Sequence, residues 1–102
     1  MQGVFEVTLF VNSGSVELNP FVEQFLARVI VAGVSTLRGV EEIKELKFNM
    51  EQDNVSVAVN GEDVELTPFP QDIIVSTLTG LVSPLKGVDN VNSMTVNVSK
   101  QS

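Results

Sequence analysis

At 102 residues, with 43% apolar and 19% charged side chains, the chain has room for one globular domain of two packed layers spanning residues 1–102. It contains no Cys, His, Trp or Tyr, which removes disulfide frameworks, Cys/His zinc sites, histidine-ligated haem and every Ser-His or Cys-His nucleophile. Six bases against 13 acids give a net charge of −7, so a nucleic acid would be repelled at long range.

The chain opens Met1-Gln2-Gly3-Val4-Phe5-Glu6, with no basic stretch ahead of an apolar run, and the reading is of a cytoplasmic protein. Phe5, Val7, Leu9 and Val11 then alternate with Glu6, Thr8, Phe10 and Asn12, the period of two that marks a strand with one buried face. Asn19-Pro20 supplies a capping side chain followed by proline at the first helical position, where its missing N–H costs nothing. The helix that follows carries Phe21, Val22, Phe25, Leu26, Val29, Ile30, Val34 and Leu37 on one stripe, expected to face a sheet. Arg38 suits the end of the helix dipole, and Gly39 follows where the chain needs φ > 0. A closing strand is expected over residues 43–50, with Leu46, Phe48 and Met50 inward.

From here the pattern starts again. Val4 to Met50 aligns without a gap on Gln52 to Val98 at an offset of 48, and 14 of the 47 pairs are identical, where composition alone would give roughly four. Val55, Val57 and Val59 repeat the first strand, and Thr67-Pro68 repeats the helix start. Phe69, Ile73, Ile74, Leu78, Leu81, Val82 and Leu85 repeat the stripe, Lys86-Gly87 repeats the stop, and residues 91–98 form the last strand with Met94, Val96 and Val98 inward. The uncharged run from Ile73 to Leu85 is 13 residues, short of the roughly 20 needed to cross a bilayer, so no membrane span is expected.

A two-residue turn at Gln52-Asp53 pairs Met50 with Val55, Phe48 with Val57 and Leu46 with Val59, so that inward residues meet inward residues. Two like βαβ halves joined in this way resemble the ferredoxin-like split βαβ fold, which implies an α+β architecture. Its four-stranded antiparallel sheet would run in the order 4-1-3-2, with two helices on one face. Asn60-Gly61 pulls against this. It is a type I′ hairpin signal that would pair Val57 with Val64, giving a duplicated ββαβ chain with extra short strands at 64–66 and 16–18. In either case Leu9, Phe25, Ile30, Phe48, Val57, Ile74, Leu78 and Val96 are expected in the core.

Two surfaces stand out. Ala27, Val31, Ala32 and Ser35 on the first helix, and Val75, Ser76, Thr79, Gly80 and Ser83 on the second, lie away from the predicted stripes. No charge falls between Arg28 and Arg38 or between Asp72 and Lys86, an unusual composition for helices facing water. The open sheet face should carry Thr8, Ser56 and Thr95, side chains small enough for sheet-on-sheet packing but lacking the aromatics of an RNA-binding sheet. The candidate interface residues are therefore Val31, Ala32, Val75, Thr79 and Gly80 on the helices, or Thr8, Ser56 and Thr95 on the sheet.

The acids Glu51, Asp53, Glu62, Asp63 and Glu65 match no calcium loop and read as solvated loops; Arg28, alone in its helix, could hold an anion or an ion pair. No catalytic, cofactor-binding or metal-binding residue is assigned. The sequence thus points to a non-enzymatic interaction or assembly module that acts by homo-oligomerising, as a dimer or with another protein partner. The alternative is a small-ligand-sensing regulatory domain with a pocket near Asn12–Asn19 or Asn60–Thr67.

Overall fold

The computed structural model describes residues 4–37, 39–52, 54–88 and 90–101. Arg38 and Asp53, to which the sequence assigns a helix-terminal cation and a turn, lie outside these residues, as do residues 1–3. In chain order the elements are β1 (Val4–Val11), β2 (Gly14–Val16), α1 (Pro20–Ser35), β3 (Glu45–Glu51), β4 (Asn54–Val59), β5 (Glu62–Val64), α2 (Pro68–Val82) and β6 (Ser93–Gln101). The chain is α+β, a ββαβ sequence of elements traversed twice.

All six strands join one antiparallel sheet in the order β2-β1-β6-β3-β4-β5. This differs from the ferredoxin-like expectation in strand number and in order. Of the four long strands, β6 sits between β1 and β3, and β3 sits between β6 and β4, so each half encloses a strand of the other. The order 4-1-3-2 would instead have placed the first and third long strands at the centre. The two additional strands follow from local turn chemistry. Asn12 and Ser13 have φ of 52° and 69°, and Asn60 and Gly61 have 52° and 85°, the two left-handed residues a type I′ hairpin requires. Pairing resumes directly after each turn, so the short strands occupy 14–16 and 62–64 rather than 16–18 and 64–66. Val57 does pair with Val64, and the β3–β4 register pairs Met50 with Val55 and Phe48 with Val57, as the alternation requires.

One sheet face is buried: Val7, Leu9 and Val11 of β1, Leu46, Phe48 and Met50 of β3, Val57 and Val59 of β4, and Met94, Val96 and Val98 of β6. Both helices cover it, contributing Leu26, Ala27, Ile30 and Val34 from α1 and Ile74, Leu78 and Val82 from α2. Of the eight expected core residues, Phe25 is the exception, at 46% exposure. Ala27, expected on the outer side, is fully buried instead. The apolar residues of α1 serve two neighbours, the sheet and α2, and a stripe broad enough for both has its centre away from the sheet-facing line. The methyl of Ala27 lets α1 lie close to β1, and this rotation turns Phe25 outward.

Two asparagines tie the halves together. The Asn60 carboxamide donates to the Glu42 carbonyl at 2.7 Å and accepts from the Lys44 and Glu45 amides at 2.9 and 3.0 Å. Asn12, 48 residues earlier, donates to the Asn90 carbonyl and accepts from the Asn92 and Ser93 amides at 2.8 and 3.1 Å. Each β-turn therefore clamps the chain as it enters the strand of the opposite half, β3 or β6. A second device protects β1 where β2 ends. Glu23 Oε2 accepts the Val7 amide at 2.9 Å, and Gln24 accepts from the Phe5 amide at 3.2 Å and donates to its carbonyl at 2.7 Å. An edge otherwise open to pairing with another strand is filled by helix side chains.

Candidate functional site

The sequence starts both helices with proline, and Asn19 caps α1 by accepting the Val22 amide at 2.8 Å. In each case a phenylalanine comes next. Phe21 and Phe69 are 72% and 73% exposed, at equivalent positions of the repeat, and Phe25 and its equivalent Ile73 are about half exposed. Phe21 and Phe25 stack with ring centroids 5.7 Å apart, planes tilted by 60°. An exposed phenylalanine leaves apolar area in water at roughly 25 cal/mol per Å², so four such side chains on one layer form a sticky surface.

The two helices lie antiparallel, and an apolar groove opens at each end of the seam. One, of about 180 Å³, is lined by Phe21, Val22, Phe25 and Leu26 of α1 with Leu81, Val82 and Leu85 of the other half. Another, of about 280 Å³, is lined by Phe69, Pro70, Ile73 and Ile74 of α2 with Gly33, Thr36 and Leu37. Residue by residue these correspond at the offset of 48: Phe21 to Phe69, Phe25 to Ile73, Leu26 to Ile74, Leu85 to Leu37. The duplication thus gives the helix layer two matched apolar grooves.

Charge is scarce on this layer. Its helices carry Glu23, Arg28 and Asp72, and Glu23 is spent on the edge of β1. Of the helix residues singled out from sequence, Ala32 and Gly80 are exposed, Thr79 is half-buried, and Val31 and Val75 are half-buried against the core at the helix flanks. The sheet candidates lie on the opposite face, where polar groups answer one another. Thr95 donates to Asn49 Oδ1 at 2.7 Å, Asn97 donates to Thr8 Oγ1 at 3.2 Å, and Ser56 is exposed in register with Asn49. Phe21, Phe25, Phe69 and Ile73 lie on the stripes that periodicity turns toward the sheet; the signal that marks Phe21 and Phe69 is the retention of phenylalanine directly after proline in both copies.

A third, polar cleft of about 630 Å³ lies between residues 39–44 and the β4–β5 hairpin, lined by Glu41, Glu42, Glu62, Asp63 and Glu65 with Lys44. Among the described residues no group of His, Cys, Asp or Glu is arranged to hold a metal ion, and no helix is long and apolar enough to cross a membrane. Comparison with known proteins gives no match to a family model, a curated protein or a solved structure.

Proposed function

We propose that the chain is a non-enzymatic assembly module that acts by binding copies of itself over the α1/α2 layer, most simply as a homodimer. The observation that carries this reading is the pair of equivalent, three-quarters-exposed phenylalanines beside two matched apolar grooves. The dimensions support it. The chain is a slab of 34 × 34 × 19 Å, so its broad face is on the order of 1,100 Å² in plan, against about 800 Å² per partner in a standard interface. The near absence of charge supports it too, since each charge at an interface core must be desolvated. The open sheet face is the weaker candidate because its polar side chains are already bonded to one another.

Sedimentation at micromolar protein tests the reading. The unmodified chain should exceed its 11.0 kDa protomer mass, and Phe21→Lys or Phe69→Lys should return it to the protomer with unchanged circular dichroism. Thr8→Lys on the sheet should leave the mass as it was. If only Thr8→Lys dissociates the complex, the sheet is the interface.

The second reading, a ligand-sensing domain, is favoured by the acid-lined cleft beside the Asn60 turn, whose carboxylates suit a small cationic ligand. A thermal-shift screen of polyamines and basic amino acids checks it: no stabilisation at millimolar ligand counts against it. The cytoplasmic setting belongs to this proposal as well, and fractionation of cells expressing the tagged chain is its test.

A further inference from the structure

We infer that Asn60 is a site of covalent modification: it deamidates through the Gly61 amide, and its conversion undoes the Asn60 clamp while the Asn12 clamp stays. The reaction is independent of self-association. Asn60 is exposed and is the one asparagine of the chain followed by glycine. In deamidation the Gly61 nitrogen, its proton taken by hydroxide, attacks Asn60 Cγ. The new N–Cγ bond closes a succinimide ring, the Cγ–Nδ2 bond breaks, and Nδ2 takes a proton from water and leaves as ammonia. Water then opens the ring at either carbonyl, giving isoaspartate or aspartate. The nucleophile is accessible: among the described residues nothing accepts the Gly61 N–H, and a Cβ built on Gly61 would meet no atom within 4 Å. At the equivalent place of the first copy Asn12 is followed by Ser13, whose Cβ crowds the attacking nitrogen.

The folded chain restrains this step. Oδ1 of Asn60 accepts the Lys44 and Glu45 amides and Nδ2 donates to the Glu42 carbonyl, so the carboxamide is held on residues 42–45. Ring closure needs Cγ to swing onto the Gly61 nitrogen, and the carboxamide must leave those three bonds to reach it. The reaction therefore runs through openings of the turn, and its rate reports how often the clamp lets go. Conversion is one-way. The product carries a carboxylate oxygen in place of Nδ2, so it has no donor for the Glu42 carbonyl, and its new charge lies in a cleft already lined by Glu41, Glu42, Glu62, Asp63 and Glu65. In the isoaspartate form the main chain also gains a methylene within a two-residue turn, against the β4–β5 register that the turn sets. The entry of β3 and strand β5 are loosened together, and the Asn12 side of the sheet is untouched.

Peptide mass mapping after prolonged incubation at mildly alkaline pH, on the folded chain and on the chain in urea, tests the site. Amide-to-acid conversion, with isoaspartate as the main product, should concentrate at Asn60 and proceed faster in urea. It should slow many-fold in Gly61→Ser, since the first copy shows that this turn accepts serine, at φ 69°. The converted chain, separated by its extra negative charge, should unfold at lower urea than fresh protein, and so should Asn60→Asp, which loses the donor without the added methylene. Conversion at Asn12 as fast as at Asn60, or none at Asn60 in urea, overturns the site. Equal rates with and without urea, or a converted chain that unfolds at the same urea as fresh protein, overturns its link to the clamp.

Discussion

Replacing Asn60 by alanine removes three hydrogen bonds and places a Cβ-bearing residue with no local bonding in the left-handed region, at φ 52°. The bonds are exposed, so water takes over part of each; at about 0.5 kcal/mol apiece, the low end of the net range, they contribute about 1.5 kcal/mol. The left-handed backbone adds about 1 kcal/mol for alanine, a cost asparagine offsets through its short polar side chain. Asn60→Ala should therefore lose about 2.5 kcal/mol, a large share of the stability of a domain this size, whereas Asn60→Gly, free of the backbone strain, should lose only about 1.5 kcal/mol. Asn12 makes the corresponding three bonds at the same φ, so Asn12→Ala should match Asn60→Ala to within about 0.5 kcal/mol. Urea unfolding followed by far-ultraviolet circular dichroism is the assay, since the chain has no Trp or Tyr to report by fluorescence. A cost below about 0.5 kcal/mol for Asn60→Ala, or an alanine variant no worse than the glycine one, would refute the clamp.

Ser13 holds φ 69° where the second copy has Gly61 at 85°, so Ser13→Gly should raise stability by about 0.5–1 kcal/mol in the same unfolding assay; destabilisation would count against the turn geometry. Phe48 is fully buried and Phe25 about half exposed: Phe48→Ala should cost about 3–5 kcal/mol and Phe25→Ala under about 1.5 kcal/mol, and equal costs would contradict the rotation of α1 described above. Removing the Glu23 carboxylate by Glu23→Ala should raise amide exchange at Val7 selectively, by roughly fivefold if the bond is worth about 1 kcal/mol, leaving Leu9, paired with Val16, protected.

The strands were legible because each carries its own alternation, and the β3–β4 register because a slip by one residue would turn Met50, Phe48 and Leu46 away from Val55, Val57 and Val59. Asn60-Gly61 announced the β4–β5 hairpin. Asn12-Ser13 did not announce its twin, since serine is a poor left-handed residue; only its alignment with Asn60 pointed there. Strand order stayed out of reach. Two like βαβ halves can interlock with either pair of strands central, and alternation is the same in both. Nor could periodicity choose the sheet-facing line of α1: Phe25 and Ala27 flank it, and the smaller side chain is the one buried because it lets helix and sheet close up. The exposed phenylalanines were hidden for the same reason, since a side chain that meets a second molecule has the same hydrophobicity as one that meets the core.

The central claim is that the helix layer is where copies of this chain meet, and a dilution series followed by amide NMR shifts tests it most directly. Between about 1 mM and 10 μM, a range spanning weak to moderate dissociation constants, the shifts should change at Phe21, Phe25, Phe69 and Ile73 and stay fixed at Thr8, Ser56 and Thr95. Spectra that do not change across that range at a monomer's tumbling time, or changes confined to the open sheet face, would contradict it.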